Sequence, residues 1–204
     1  MFRTIKLKKI IISTIIFFII FIIFYYKNFI FGNNIIKNRS NEKAILNEFK
    51  NYNAEIEVKI TNNKTENLYK IYQEVNNNSS MQEIIEGEDI EGVRIELKQN
   101  NLKISNTKLG LEKNYKNYEG ILNNSIFLNS FVNDYLNKKN STNYFEENEQ
   151  IIMEVKLNNT KNTYIKYKKL YIDKKTLKPI KMKIEDYTKK ETICIIYNNV
   201  ELIK

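Results

Sequence analysis

Residues 52–60 read YNAEIEVKI, and this stretch decides how the rest of the chain is read. Tyr52, Ala54, Ile56, Val58 and Ile60 alternate with Asn53, Glu55, Glu57 and Lys59. A period of two places the apolar set on one side of an extended backbone and the polar set on the other. That is the pattern of a strand with one buried face. Further strands are predicted at 68–75, 90–98, 102–107 and 164–172, with the same alternation at 151–157 and 180–184, and a more continuously apolar strand at 193–203. Short Asn-, Ser-, Lys- and Asp-rich turns separate many of them: TNNKT at 61–65, NNNSS at 76–80, KQNN at 98–101, DKKT at 173–176 and DYTKK at 186–190. The expectation is about nine or ten strands with short connections, hence an antiparallel, meander-like sheet.

Two segments depart from period two. At 40–51, Ile45, Leu46, Phe49 and Tyr52 fall at helical spacing behind Ser40 or Asn41 as a cap. At 124–138, Ile126, Phe127, Leu128, Phe131, Val132, Tyr135 and Leu136 recur every three or four residues, with Asn124 or Ser125 as the cap. A sheet with one apolar face needs a cover, and two amphipathic helices supply it. The predicted fold is α+β: a curved antiparallel sheet with helices across its concave face.

Upstream of the sheet, residues 10–26 read IIISTIIFFIIFIIFYY, interrupted only by Ser13 and Thr14. At 1.5 Å per residue this helix spans roughly 26 Å, close to the ~30 Å hydrocarbon core of a bilayer. Thirteen Ile or Phe residues between Ile10 and Phe24 favour insertion by roughly 4 to 8 kcal/mol. Ile10, Ile15, Phe18, Ile22 and Phe24 are representative anchor residues. Arg3, Lys6, Lys8 and Lys9 precede the run, which keeps that end cytoplasmic and exports the rest. No A-x-A-like cleavage site follows, and no cysteine stands where a lipoprotein would be acylated. The expected organisation is a basic cytoplasmic tail at 1–9, a transmembrane anchor at 10–31, a linker at 32–39 and an extracytoplasmic domain at 40–204.

Charge and composition narrow the chemistry. The formal net charge is +9, but seven cations precede Glu42, the first acid. Beyond them, 26 basic residues face 24 acidic ones. A near-neutral domain argues against nucleic acid as the partner. With no His and a single Cys, Cys194, there is no internal disulfide, no Cys/His zinc site and no imidazole base. No nucleophile elbow, P-loop or dinucleotide fingerprint is present, and the five glycines are scattered. Adjacent carboxylates such as Glu146 with Glu147 point to opposite faces of a strand. No catalytic residue, metal ligand or cofactor is therefore expected, and Cys194 reads as a small buried thiol.

Two charge clusters mark candidate surfaces. One is acidic: Glu83, Glu86, Glu88, Asp89 and Glu91. The other runs from 161 to 190, with 11 Lys against Asp173, Glu185 and Asp186. With 14 Tyr and 11 Phe in the chain, an aromatic groove is a further expectation. The candidate partner or ligand surface comprises Phe127, Phe131 and Tyr135 on the second helix, with Lys181 and Lys183 on a Lys-rich strand.

Residues 170–203, LYIDKKTLKPIKMKIEDYTKKETICIIYNNVELI, resemble the last strands of the LolA/RseB-like superfamily. The resemblance rests on Ile172-Asp173, Thr176, Pro179, the alternating KMKIED, Thr192 and YNNVE. It implies a half-open antiparallel barrel with helices over its concave face, binding acyl chains of lipoproteins, other hydrophobic ligands or protein partners. Residues 104–125, ISNTKLGLEKNYKNYEGILNNS, and 131–138, FVNDYLNK, resemble the clostridial spore-germination lipoprotein family typified by GerS. That implies a non-catalytic role beside a cortex-modifying amidase of peptidoglycan. One departure stands out: the apolar run at 10–26 replaces the lipid anchor. Other expected contacts are membrane lipid and, through exposed strand edges, a second copy of the chain. A carrier of lipid or lipoprotein acyl chains is the rival reading, and an envelope hydrolase without a readable motif is the third.

Overall fold

In the computed structural model, the described residues are 42–62, 64–118, 125–158, 160 and 162–203. The chain divides into Met1–Ala44 and Ile45–Lys204, and the second unit carries the fold. The expected anchor, tail and linker lie outside the described residues. Among the described residues no helix is long and apolar enough to cross a membrane.

After a short helix at 42–48, called α1, the stretch quoted first is strand β1 (Tyr52–Thr61). Its neighbours follow in sequence: β2 (Glu66–Asn76), β3 (Ser79–Glu86), β4 (Val93–Lys98), β5 (Asn101–Asn106) and β6 (Leu111–Tyr115). A 3-10 turn at Glu88–Ile90 precedes β4. Helix α2 (Leu128–Leu136) comes next, then β7 (Ser141–Glu147), β8 (Gln150–Lys156), β9 (Tyr167–Asp173), β10 (Pro179–Glu185) and β11 (Glu191–Leu202). The sheet order is β6-β5-β4-β3-β2-β1-β11-β10-β9-β8-β7. Every described pairing is antiparallel. The first and last strands thus meet in the middle, and β6 and β7 are the two ends of an open sheet.

The register explains the core. Ala54 faces Gln73 and Val200, Ile56 faces Ile71 and Tyr197, and Val58 faces Tyr69 and Ile195. The row continues through Met182, Leu170 and Met153. These inward residues meet Ile45, Leu46 and Phe49 and the α2 residues Leu128, Phe131, Val132 and Tyr135 in one apolar cluster. At ~25 cal/mol per Å², a large apolar side chain buried here contributes about 1.5–3 kcal/mol. The pairing of β1 with β11 shifts by one residue at Glu55/Ile56. This bulge lets Tyr197 and Val200, three residues apart, both face inward. Pro179 opens β10, where the missing N–H costs least.

Several expectations need correction. Among the described residues eleven strands form, where nine or ten were expected: β3, β6 and β7 are additional to the eight segments whose ranges the alternation and apolar runs mark. The 76–80 turn is shorter than expected, since Ser79 already begins β3. The strand expected at 90–98 begins at Val93, after the 3-10 turn. Helix α2 starts later than 124, and no side chain caps it locally: Phe127 occupies the N-cap without a side-chain hydrogen bond. The cap is tertiary instead, because the Leu128 N–H donates to the Tyr52 hydroxyl, 3.1 Å away in β1.

Candidate functional site

Inward and outward positions of the strands define two different surfaces. Lys168, Leu170 and Ile172 of β9 are buried, so Tyr167, Lys169 and Tyr171 face outward. The register places Lys181 beside Tyr171 and Lys183 beside Lys169, on that same outer face. Phe127, Phe131 and Tyr135 lie on the other side, between α2 and the sheet. The expected surface residues are therefore split between opposite faces. Phe131 has no exposed area and Tyr135 is 7% exposed, so the helix aromatics form core, not an exposed docking patch. An amphipathic stripe on a helix packed over a sheet points inward because the sheet supplies its apolar partner.

A buried polar network pins this helix layer. The Tyr52 hydroxyl donates to Gln73 Oε1 at 3.1 Å while accepting the Leu128 N–H. Burial raises the Tyr52 pKa, partly offset by that N–H. Burial, and then the neighbouring Tyr52, raise that of Tyr197 as well. On the far side of α2, Lys168 of β9 reaches Asp134 Oδ2 at 2.6 Å and donates to Ser130 Oγ at 2.9 Å. Burial lowers the Lys168 pKa, and Asp134 opposes that shift. Tyr52 and Leu128 carry the apolar patterns in the sequence, whereas Gln73, Ser130, Asp134 and Lys168 are additions from the structure. The signal was present: Gln73 sits between Ile71 and Val75, and Lys168 before Leu170 and Ile172, polar groups at inward positions of an alternating strand.

Beyond the first turn of α2 the inner face is less covered. A groove of about 340 Å³ is lined by Val58, Ile60, Tyr69, Ile71, Ile84, Ile90, Ile126 and Ile193, with Gln82 and Ser125 as polar members. Gly87 lets the Tyr69 ring approach closely: a Cβ there would sit 2.5 Å from Tyr69 Cδ1. Leu109, before β6, and Leu111 and Tyr115 in it are exposed apolar residues.

The outer face carries Lys, Tyr and Glu. Lys169 pairs with Glu154 at 2.5 Å and Lys183 with Glu191 at 2.6 Å. The Glu191 hydrogen bond raises the Lys183 pKa. Lys181 lies over the Tyr171 ring, 4.7 Å from its centroid. Lys156 and Lys189 flank the Tyr167 ring at 5.9 and 5.5 Å. A polar groove of about 380 Å³ surrounds that ring, lined also by Ser141, Asn143, Glu154, Lys169 and Glu185. The acidic stretch at 83–91 is largely spoken for: Glu83 pairs with Arg94, Glu86 with Lys70 and Glu91 with Lys108. Cys194 is half-buried on the outer face, and burial raises its thiol pKa. Among the described residues no three His, Cys, Asp or Glu side chains are placed to hold a metal.

No protein-family model matches the chain, and no curated protein matches it. Solved structures do. The chain is similar to a structure of the CwlD amidase from Clostridioides difficile in complex with the GerS lipoprotein. The identity is 18% and the TM-score 0.45, covering 84% of this chain and 92% of that one. It is also similar to a LolA superfamily protein from Nitrosomonas europaea, at 10% identity and a TM-score of 0.38, covering 79% and 93%. MucB is a third, at 10% identity and a TM-score of 0.45, covering 82% of this chain and 60% of that one. The names GerS and LolA, met as resemblances in the sequence, recur among these structures.

Proposed function

We propose that this chain is a non-catalytic, membrane-anchored binding protein of the cell or spore envelope whose exported domain docks a protein partner. The observation that carries the reading is the filled centre of the sheet. Phe49, Leu46, Leu128 and Phe131 have no exposed area, so the helix layer fills the centre of the inner face and leaves binding to the rim, the outer face and the edges. The resemblance of residues 104–125 and 131–138 to the spore-germination lipoprotein family points to a peptidoglycan amidase of the spore cortex as partner. The apolar run at 10–26 would hold the domain at a membrane surface, where a tether raises the local concentration of neighbours. The free edges β6 and β7 also offer a second copy a strand to pair with.

The test is capture from sporulating cells with the full chain in mild detergent, followed by mass spectrometry of protein and lipid. A peptidoglycan enzyme should be recovered in stoichiometric amount. Recovery of neither a protein nor a lipid would refute the reading.

One observation favours a second reading. The groove at Ile60, Ile84 and Ile90 is apolar in most of its lining, and a carrier of lipid or acyl chains needs such a cavity. Acyl chains should then copurify, and Ile90→Asn, at a groove position 39% exposed, should abolish this without unfolding the domain. A polar residue at fully buried Phe131 would not separate ligand loss from unfolding.

A further inference from the structure

Among the described residues, the outer face holds ammonium groups that make no ion pair. Lys169 and Lys183 are matched by Glu154 and Glu191. Lys156, Lys189 and Lys181 make no ion pair among the described residues, and each lies over a tyrosine ring instead. Lys156 and Lys189 approach Tyr167 from its two neighbours, strand β8 and the turn after β10. That turn is held in shape: Asp186 Oδ1 accepts from the Thr188 and Lys190 N–H groups at 2.8 and 2.9 Å. Glu154 and Glu185 are the acids in the groove. Glu154 is engaged by Lys169, so Lys156, Lys189 and Glu185 leave a net positive charge around the ring. The second ring, Tyr171 with Lys181, stands four residues along the same strand, about 13 Å away at 3.3 Å per residue.

We infer that these two tyrosine–lysine stations on the outer face of β9 bind an acidic polypeptide segment. The segment lies along the strand and places one carboxylate at Lys156/Lys189 and a second at Lys181. A ring beside each ammonium displaces water from it and leaves its charge for an incoming anion. An anion held there forms charge-assisted hydrogen bonds, stronger than neutral ones. The repeat selects a polymer over a small acid, because a single carboxylate fills one station only. An extended peptide with acids at positions i and i+4 matches the spacing. This rests on the reading of the chain as a protein-docking module and names the chemistry of the partner.

The experiment uses the full chain in mild detergent and a fluorescent peptide, Glu-Thr-Val-Thr-Glu, with blocked ends. Anisotropy at low salt should show binding. Replacing both Glu by Gln should weaken it at least tenfold, as should Lys156→Gln with Lys189→Gln, or Lys181→Gln. Lys189→Arg should retain binding, and Lys98→Gln, at the β4–β5 turn in the other half of the sheet, should not change it. Three results would overturn the proposal: no binding of the acidic peptide, equal affinity for the Gln peptide, or displacement by glutarate at the peptide's own concentration. If a captured cellular partner is recovered equally by the Lys156→Gln/Lys189→Gln protein, this site is wrong while the docking role stands.

Discussion

Lys168 shows what one side chain can reveal. It is 2% exposed, and its ammonium is matched by Asp134, whose side chain is 19% exposed. The two partners are therefore unequal. Asp134→Ala leaves a buried ammonium without a counter-ion and should cost about 3–5 kcal/mol in urea unfolding. Lys168→Met leaves Asp134 Oδ2 buried without its cation, but the Asp134 side chain is part-exposed, so the cost should be smaller than for Asp134→Ala. The pH dependence gives a second readout. Burial lowers the Lys168 pKa below its ordinary value near 10.5, so at alkaline pH the unfolded chain binds the extra proton. Stability then gains a rising contribution as pH climbs from the depressed folded value toward 10.5. The gain should be steeper in Asp134→Ala, where the opposing carboxylate is gone, and absent in Lys168→Met.

At the scale of elements, α2 has nine residues, no local side-chain cap, no acid in its first turn and no base in its last. A helix that short is marginal on its own, so the sheet must hold it. Tyr52→Phe tests this directly. It removes the acceptor for the Leu128 N–H and the donor to Gln73, leaving two buried groups unmatched at about 1–3 kcal/mol each. The loss should appear in thermal unfolding, with hydrogen exchange rising first at the start of α2. The same reasoning explains how much could be read in advance. β1, β8, β9, β10 and β11 bury one face, and their alternation is legible. β6 and β7 are edge strands whose residues are nearly all exposed, so no apolar period marks them. In β3, Gln82 and Ile84 face inward while Met81 and Glu83 face outward, and the mixture disguises the strand. The candidate residues on α2 were rightly grouped as one stripe but wrongly placed at a surface. Sequence periodicity says which side chains share a face, not what covers that face.

At the scale of the molecule, one strand joins the two halves of the sheet. β11 is the only described strand that pairs both with β1 and with β10. Ending the chain at Lys190 should therefore abolish the cooperative unfolding transition, whereas removing Ile203 and Lys204 should leave it within a few degrees. Circular dichroism during heating distinguishes the two. There is also a consequence in time. During synthesis β1 emerges early, and β2 to β6 can stack onto one of its sides at once. Its other side must wait for the final twelve-residue strand. Until β11 docks, each folding molecule carries a bare hydrogen-bonding flank at its centre, open to any passing strand. Strand exchange between neighbouring molecules is therefore the characteristic hazard of this topology, and it closes only when the last strand is in place.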